Sequence, residues 1–219
     1  MDYCDFLPLN VRDLLSRYCP VGIRKHFTLI GFGDFTQYYY YDCTVNRMRN
    51  GAQVMLTKNR LHYDGYSLIN DYIDMFCLSY DKSRCIAIGK HDWFVFDEYT
   101  KLEMRTSFDY VITSLVCQQN GNVIAASCNR DEIYVFDKIL HFLHSIQIVN
   151  PLCMAVSSLD QLVVLQGNVL SLFEPVTYKK VSDFWFPQTY CKQNVQMYVG
   201  ETGQIFVHDF RHNKNLLFQ

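Results

Sequence analysis

Residues 84–97 read RCIAIGKHDWFVFD and residues 122–137 read NVIAASCNRDEIYVFD. Both run from an apolar segment through a polar turn into a second apolar segment, and both close on Phe-Asp. Residues 161–174, QLVVLQGNVLSLFE, and residues 195–209, VQMYVGETGQIFVHD, repeat the pattern. The acidic ends fall at 97, 137, 174 and 209, spaced by 40, 37 and 35 residues. Fainter copies precede them: AQVMLTKNRLHYD ends at Asp64 and FTLIGFGDFTQYYYYD at Asp42. Each copy reads as a β-hairpin. Ile133, Val135 and Asp137 alternate, which puts the two apolar side chains on one face of a strand. Gly89, Gly167, Gly200 and Gly203 stand near the turns, where glycine tolerates a positive φ.

Further apolar runs lie between the hairpins: DMFCLSY at 74–80, ITSLVCQ at 112–118, LHSIQI at 143–148 and PLCMAVS at 151–157. Each period of 35 to 40 residues therefore supplies about four short strands. A single four-stranded sheet cannot cover both of its own faces, so the copies must pack face to face. The expected fold is all-β, a radial stack of small sheets: a β-propeller. A β-sandwich with regularly spaced hairpins is the competing arrangement.

The pairs Phe96-Asp97, Phe136-Asp137, Phe173-Glu174 and His208-Asp209, with weaker Tyr63-Asp64 and Tyr41-Asp42, stand where WD-repeat proteins place Trp-Asp. The chain thus resembles a divergent WD-repeat propeller over roughly residues 65–219, extending back toward residue 26. It departs from that family in having no Trp at the pair and no Gly-His ahead of a blade. The resemblance implies a WD-repeat-like propeller over 26–219, with four clear blades and one or two degenerate ones. Fewer than seven blades leaves three arrangements open: a five-bladed ring, an open ring completed by another subunit, or part of a larger protein.

Residues 1–25 read differently. In LPLNVRDLLSRYCP, residues 7–20, the apolar Leu7, Val11, Leu14, Leu15 and Tyr18 share one helical face, with Pro8 suited to the first turn and Pro20 to the stop. Leu7-Pro8 followed by Leu14-Leu15 also resembles the start of an F-box, which implies an adaptor of a cullin-type ubiquitin ligase as partner. The next segments, FTLIGFG and QYYYYDC, read as strands, so the motif is cut short and a helix capping the propeller is the plainer expectation. Asp209-Phe210-Arg211 resembles the Asp-x-Arg variant of the WD repeat, in which the Arg, here Arg211, engages a ligase adaptor.

Composition narrows the remaining classes. The chain has 219 residues, 49% hydrophobic and 19% charged, which excludes a disordered tail. Its net charge of -2 gives no general attraction to nucleic acid or to an anionic membrane, so neither is expected as a partner. The 16 Phe and 16 Tyr suit a sheet-rich fold with ring-packed positions. Tyr38 to Tyr41 would face alternate sides of a strand, and no Lys/Arg cluster flanks them, so packing is favoured over base stacking. Nine cysteines, none in C-x-x-C spacing, argue for reduced thiols; Cys77, Cys85, Cys117 and Cys153 sit inside apolar runs as small hydrophobes. The first residues lack a secretory h-region, and no run approaches the ~20 apolar residues of a membrane span. A cytoplasmic or nuclear location is expected.

No catalytic motif occurs: no G-x-S-x-G, no H-E-x-x-H and no Walker loop. His141 and His144 have no carboxylate or Cys at ligand spacing, and His91-Asp92 sits in a turn. No catalytic residue, cofactor or metal is expected. The function expected is a non-enzymatic protein-protein interaction scaffold, or more narrowly a substrate receptor or adaptor subunit of a cullin-type ligase. Candidate contacts are the hairpin turns carrying Lys90 and Asp92, Arg130 and Asp131, Asn168, and Glu201, together with Leu7, Pro8, Leu14, Leu15 and Arg211.

Overall fold

The computed structural model describes residues 43–57, 59–69, 71–185, 195–200, 203–209 and 214–218. The expected N-terminal helix, the tetrad Tyr38 to Tyr41, and Glu201 and Arg211 lie outside these residues. All regular structure among the described residues is β. Blade 1 holds Cys43–Arg47 (β1), Gln53–Thr57 (β2), Arg60–Tyr63 (β3) and Tyr66–Ser67 (β4). Blade 2 holds Ile73–Leu78 (β5), Arg84–Gly89 (β6), Asp92–Asp97 (β7) and Leu102–Ser107 (β8). Blade 3 holds Ser114–Cys117 (β9), Val123–Ser127 (β10), Glu132–Phe136 (β11) and Phe142–Gln147 (β12). Blade 4 holds Pro151–Val156 (β13), Leu162–Gln166 (β14), Val169–Phe173 (β15) and Lys180–Trp185 (β16). Blade 5 holds Val195–Val199 (β17), Ile205–Asp209 (β18) and Lys214–Phe218 (β19).

Every sheet is an antiparallel meander in chain order. Strands β5, β9, β13 and β17 contact one another in turn, so the first strand of blades 2 to 5 lies innermost. The architecture is the propeller expected from the repeat.

The middle strands explain why the sheets stack. In β10 and β11, Val123, Ala125, Tyr134 and Phe136 face blade 2, while Ile124, Ala126, Ile133 and Val135 face blade 4. Ile133 and Val135 do share a face, as their alternation predicts, but the opposite face is equally apolar. Blade 2 divides the same way: Cys85, Ala87, Phe94 and Phe96 pack on blade 1, and Ile86, Ile88, Trp93 and Val95 on blade 3. A short continuous apolar run bounded by turns is what a strand covered on both faces requires. Leu162, Val164 and Phe173 then meet blade 3, and Val163, Leu165 and Leu170 meet Val207 of blade 5. Four apolar layers thus join the five sheets. The outermost strands face water: β8, β12 and β16 are mostly exposed.

One repeat falls out of phase with the expectation. The hairpins ending at Asp64, Asp97, Asp137 and Glu174 are each the second and third strands of a blade. The hairpin 195–209 is instead the first and second strand of blade 5, and its third strand is β19. His208-Asp209 therefore does not occupy the slot of Phe136-Asp137. Tyr63-Asp64, the fainter echo, does. Any hairpin of alternating residues satisfies the pattern, so the pattern alone cannot tell which pair of strands carries it.

Glycine at 89 answers to a close approach rather than to a turn conformation: a Cβ there would meet the Tyr72 carbonyl oxygen at 2.5 Å. Phe94, only 2% exposed, sits between blades 1 and 2. Phe94→Ala is expected to cost ~3–5 kcal/mol in urea unfolding. Trp185→Ala, at a side chain 73% exposed on β16, should stay within about 0.5 kcal/mol.

Candidate functional site

Antiparallel meanders place the turns between first and second strands, and those between third and fourth, at one end of each blade. The turns between second and third strands lie at the other end. Blades 3 and 4 run in parallel: Ser114 at the start of β9 meets Met154 of β13, and Gln118 past the end of β9 meets Asp160 past the end of β13. Neighbouring blades therefore share their ends.

At the first end, one turn recurs in every blade. Met48, Gln118, Ser157 and Gly200 each donate a backbone N–H to the carbonyl four residues on, and each carbonyl accepts from the residue three on. Ser79 differs only in donating to Arg84, five residues on. The third residue has a positive φ throughout: Gly51, Lys82, Gly121, Asp160 and Gly203. This is a type I turn closed by a left-handed residue. The acid-terminated turns are built alike. The Asp97 Oδ1 accepts from the N–H groups of Tyr99 and Lys101, and the Asp137 Oδ1 from those of Ile139 and His141. Asp97 and Asp137 are thus turn-closing acceptors, and His141 Nδ1 lies 3.2 Å from the Asp137 carboxylate. His144 packs on the Tyr178 ring.

These turns clamp neighbouring blades. Arg49 of blade 1 donates its N–H to the Lys82 carbonyl and pairs with Glu98 at 2.7 Å, while Asn50 and Tyr63 both donate to the Glu98 carbonyl. Blade 3 repeats the device on blade 4. The fully buried Gln118 donates from Nε2 to the carbonyls of Asp160 and Pro175, and its Oε1 accepts from the Tyr178 hydroxyl. Gln119 donates its N–H to the Asp160 carboxylate. Between blades 2 and 3, no hydrogen bond among the described residues joins the corresponding turns. A groove of about 190 Å³ opens there instead, lined by Tyr80, Asp81, Arg84, Cys117, Gln119 and Lys138, among others. Beside it, Arg84 pairs with Glu103 at 2.7 Å. The Asp81 carboxyl is held down to about 2, first by the Ser79 hydroxyl and then by the hydroxyl and N–H of Ser83.

The same end carries exposed apolar side chains on successive turns: Tyr80 and Tyr99 of blade 2, Ile139 of blade 3, and Leu159 and Val176 of blade 4. Tyr99 and Val176 are 74% and 77% exposed. The sequence reading missed this rim because each member is one residue in a turn, and only the common end unites them.

The other end holds the five sequence-derived candidates that fall among the described residues. Lys90 is exposed in the β6–β7 turn, and Asn168 is half-buried beside Gly167 in the β14–β15 turn. Asp92 is engaged within its own sheet. Its carboxylate accepts from Arg105 at 2.8 Å and from the Ser107 hydroxyl, and these two bonds hold it below the usual carboxylate range. Asp131, with φ of 55°, receives the Asn150 N–H on its carboxylate and the Ile148 N–H on its carbonyl. It fastens the turn to the linker entering blade 4. The exposed Arg130 lies 4.8 Å over the Tyr110 ring, which stacks on Tyr134 at 5.1 Å. The turn containing Glu201 joins β17 to β18 and so belongs to the first end; Glu201 itself, like Leu7, Pro8, Leu14, Leu15 and Arg211, is outside the described residues. Asp209 ends β18, the second strand of blade 5. Among the described residues, no group of three or more His, Cys, Asp or Glu could hold a metal, and no helix is long and apolar enough to cross a membrane.

No protein-family model matches the chain, and no curated protein matches its sequence. Solved structures do resemble it. A protein of unknown function from Bacteroides caccae superposes with a TM-score of 0.60 at 12% identity, over 78% of this chain and 71% of its own. A streptogramin B lyase gives 0.62 at 11% identity, over 80% and 64%. The WD40 β-propeller domain of Doa1 gives 0.60 at 12% identity, over 77% and 60%. The chain thus spans under two thirds of the lyase and of the Doa1 domain. At such identities the likeness establishes the propeller fold alone.

Two substitutions test the site's construction. Gln118→Leu keeps the volume but leaves two carbonyls and a tyrosine hydroxyl without their partner, and should cost ~1–3 kcal/mol in chemical unfolding. Asp81→Asn should remove a pH dependence. The folded carboxyl titrates near 2 and the unfolded one near ~4. The unfolded chain therefore binds the proton first on acidification. The stabilising contribution is complete above pH ~4 and fades as pH falls toward 2. Stability profiles of wild type and Asp81→Asn should converge over that interval.

Proposed function

We propose that the chain is a non-enzymatic scaffold for protein-protein interaction, binding partners through the end of the propeller that carries the paired turns. The observation that carries this reading is the series Tyr80, Tyr99, Ile139, Leu159 and Val176. These apolar side chains stand out from turns that are closed by backbone bonds and, at two blade interfaces, clamped to the next blade. Exposed apolar groups on rigid mounts supply contact area at low ordering cost. The charged turns at the opposite end offer fewer free groups, since Asp92 and Asp131 are committed within the fold; Lys90, Arg130 and Asn168 remain as a secondary surface.

The narrower reading, a substrate receptor or adaptor subunit of a cullin-type ligase, rests on the resemblance of Leu7-Pro8 and Leu14-Leu15 to an F-box. A subunit that completes the ring is the other partner class the repeat count suggests. Affinity purification of the tagged full chain with native mass measurement separates these. A ligase adaptor that co-purifies and is lost on Leu14→Ala with Leu15→Ala supports the narrower reading; partners without an adaptor exclude it.

The scaffold reading has its own test. The quadruple variant Tyr80→Ala, Tyr99→Ala, Leu159→Ser and Val176→Ser should lower partner recovery by about tenfold or more while leaving the melting temperature close to wild type. Lys90→Glu with Arg130→Glu should change recovery by no more than about twofold, as rim charges usually do. Recovery unaffected by the quadruple variant overturns the proposal.

A further inference from the structure

Cys77 on β5 and Cys117 on β9 face each other across the interface of blades 2 and 3, with their sulfurs 3.3 Å apart. Both are half-buried free thiols, unlike the buried Cys85 and Cys153. They are not equivalent positions: Cys77 lies across from Ile86 on the face of blade 2 turned to blade 3, and Cys117 lies across from Val123 on the face of blade 3 turned to blade 2, which is why their side chains meet. Cys117 also lines the groove that opens between the turns of these blades, which gives small solutes a route to its sulfur. Blades 1–2 and 3–4 are clamped by Arg49-Glu98 and Gln118-Tyr178, whereas the described turns of blades 2 and 3 share no such bond.

We propose that Cys77 and Cys117 are an oxidation site, a thiol pair that a small hydroperoxide converts into a disulfide stapling blade 2 to blade 3. The thiolate of Cys117 attacks the peroxide O–O bond, forming an S–O bond and releasing water or an alcohol after protonation. The Cys117 sulfenic acid is then attacked by the sulfur of Cys77; the S–S bond forms, the S–O bond breaks, and the oxygen leaves as water. Two thiols and one hydrogen peroxide give one disulfide and two waters. The order follows access: Cys117 lines the groove and Cys77 does not, while burial pushes the Cys77 thiol well up and makes it the slower of the two toward peroxide; its proton leaves with the sulfenic oxygen as water. The sulfurs need to close by little more than an ångström to reach a bond of about 2.05 Å. This inference concerns the blades alone and does not depend on the scaffold reading.

The test uses the full chain, treated with stoichiometric hydrogen peroxide and alkylated under denaturing conditions. Peptide mass mapping should show a Cys77–Cys117 cross-link, with two free thiols lost per chain and full recovery on dithiothreitol. The melting midpoint of the oxidised protein should rise by about 5 °C or more, and Cys77→Ser should abolish that rise while Cys153→Ser leaves it. Mapping in the wild type needs no variant to fold. Cross-links between other cysteines, or oxidation of Cys117 to sulfinic acid with Cys77 left free, would overturn the proposal.

Discussion

The structure depends on covering both faces of each blade's middle strands. Val123 to Ser127 in β10 are all buried, and so are Ile133 to Phe136 in β11. An isolated sheet with two apolar faces would expose one or both to water at roughly 25 cal/mol per Å². The cost falls only when another sheet lies on each side. Packing blade on blade achieves this with a single repeated unit. Small residues admit large ones: Ala125 shares its layer with Trp93 and Phe136, whose rings lie 5.0 Å apart. The outermost strands escape the demand, and β12 and β16 accordingly carry charged and polar residues among their exposed apolar ones.

Turn chemistry then decides how the blades are held at their ends. The same closed turn follows the first strand five times, yet its left-handed position is filled by Gly51, Lys82, Gly121, Asp160 and Gly203 in turn. A non-glycine residue in that conformation carries a penalty of order 1 kcal/mol. Among the described residues, Lys82 and Asp160 receive a neighbouring blade: the Lys82 carbonyl takes the Arg49 N–H, and the Asp160 carboxylate and carbonyl take Gln119 and Gln118. The strained positions and the interblade clamps coincide. Glycine at either would give the backbone more freedom in the unfolded chain, and at 160 it would remove the carboxylate as well.

The hairpins around Asp97, Asp137 and Glu174 were legible because they combine two local requirements. Two-sided burial makes both strands apolar, and the turn beyond them needs an acceptor, which the carboxylates of Asp97 and Asp137 supply to backbone N–H groups. The same logic misplaced 195–209, since β17 and β18 also form an apolar hairpin and Asp209 follows it by position only. Asp92 and Asp131 were legible as turn residues, but their engagement with Arg105 and Asn150 was not. Arg105 comes from the neighbouring strand and Asn150 from the linker entering blade 4, so their approach is set by pairing register and linker path. Gln118 gave no signal, because its partners at 160, 175 and 178 arrive through blade packing. Cys77 and Cys117 gave no signal either, since by strand register Cys77 corresponds to Val116 and Cys117 to Leu78. In a stacked repeat, equivalent side chains point the same way round the ring, so two residues meet across an interface only when they lie on opposite faces of successive sheets, and that depends on register.

Among the described residues, no hydrogen bond joins the turns of blades 2 and 3, which gives that interface a different character from the clamped ones on either side. Apolar contact among Ile86, Trp93, Ala125 and Phe136 holds the middle of that interface, but at the turn end the groove stands in place of a clamp. Tyr80 lines that groove and is also the first member of the exposed rim, and Lys138 lies beside Ile139. The spacing of blades 2 and 3 therefore sets the distance between Tyr80 and Tyr99 on one side and Ile139 on the other. A covalent link between Cys77 and Cys117 would act at the floor of the same groove. It would draw two innermost strands together by about an ångström, without touching the turns directly. Because packed sheets resist deformation, a displacement imposed at the floor is carried to the turns as rigid movement of whole blades rather than absorbed by soft side chains.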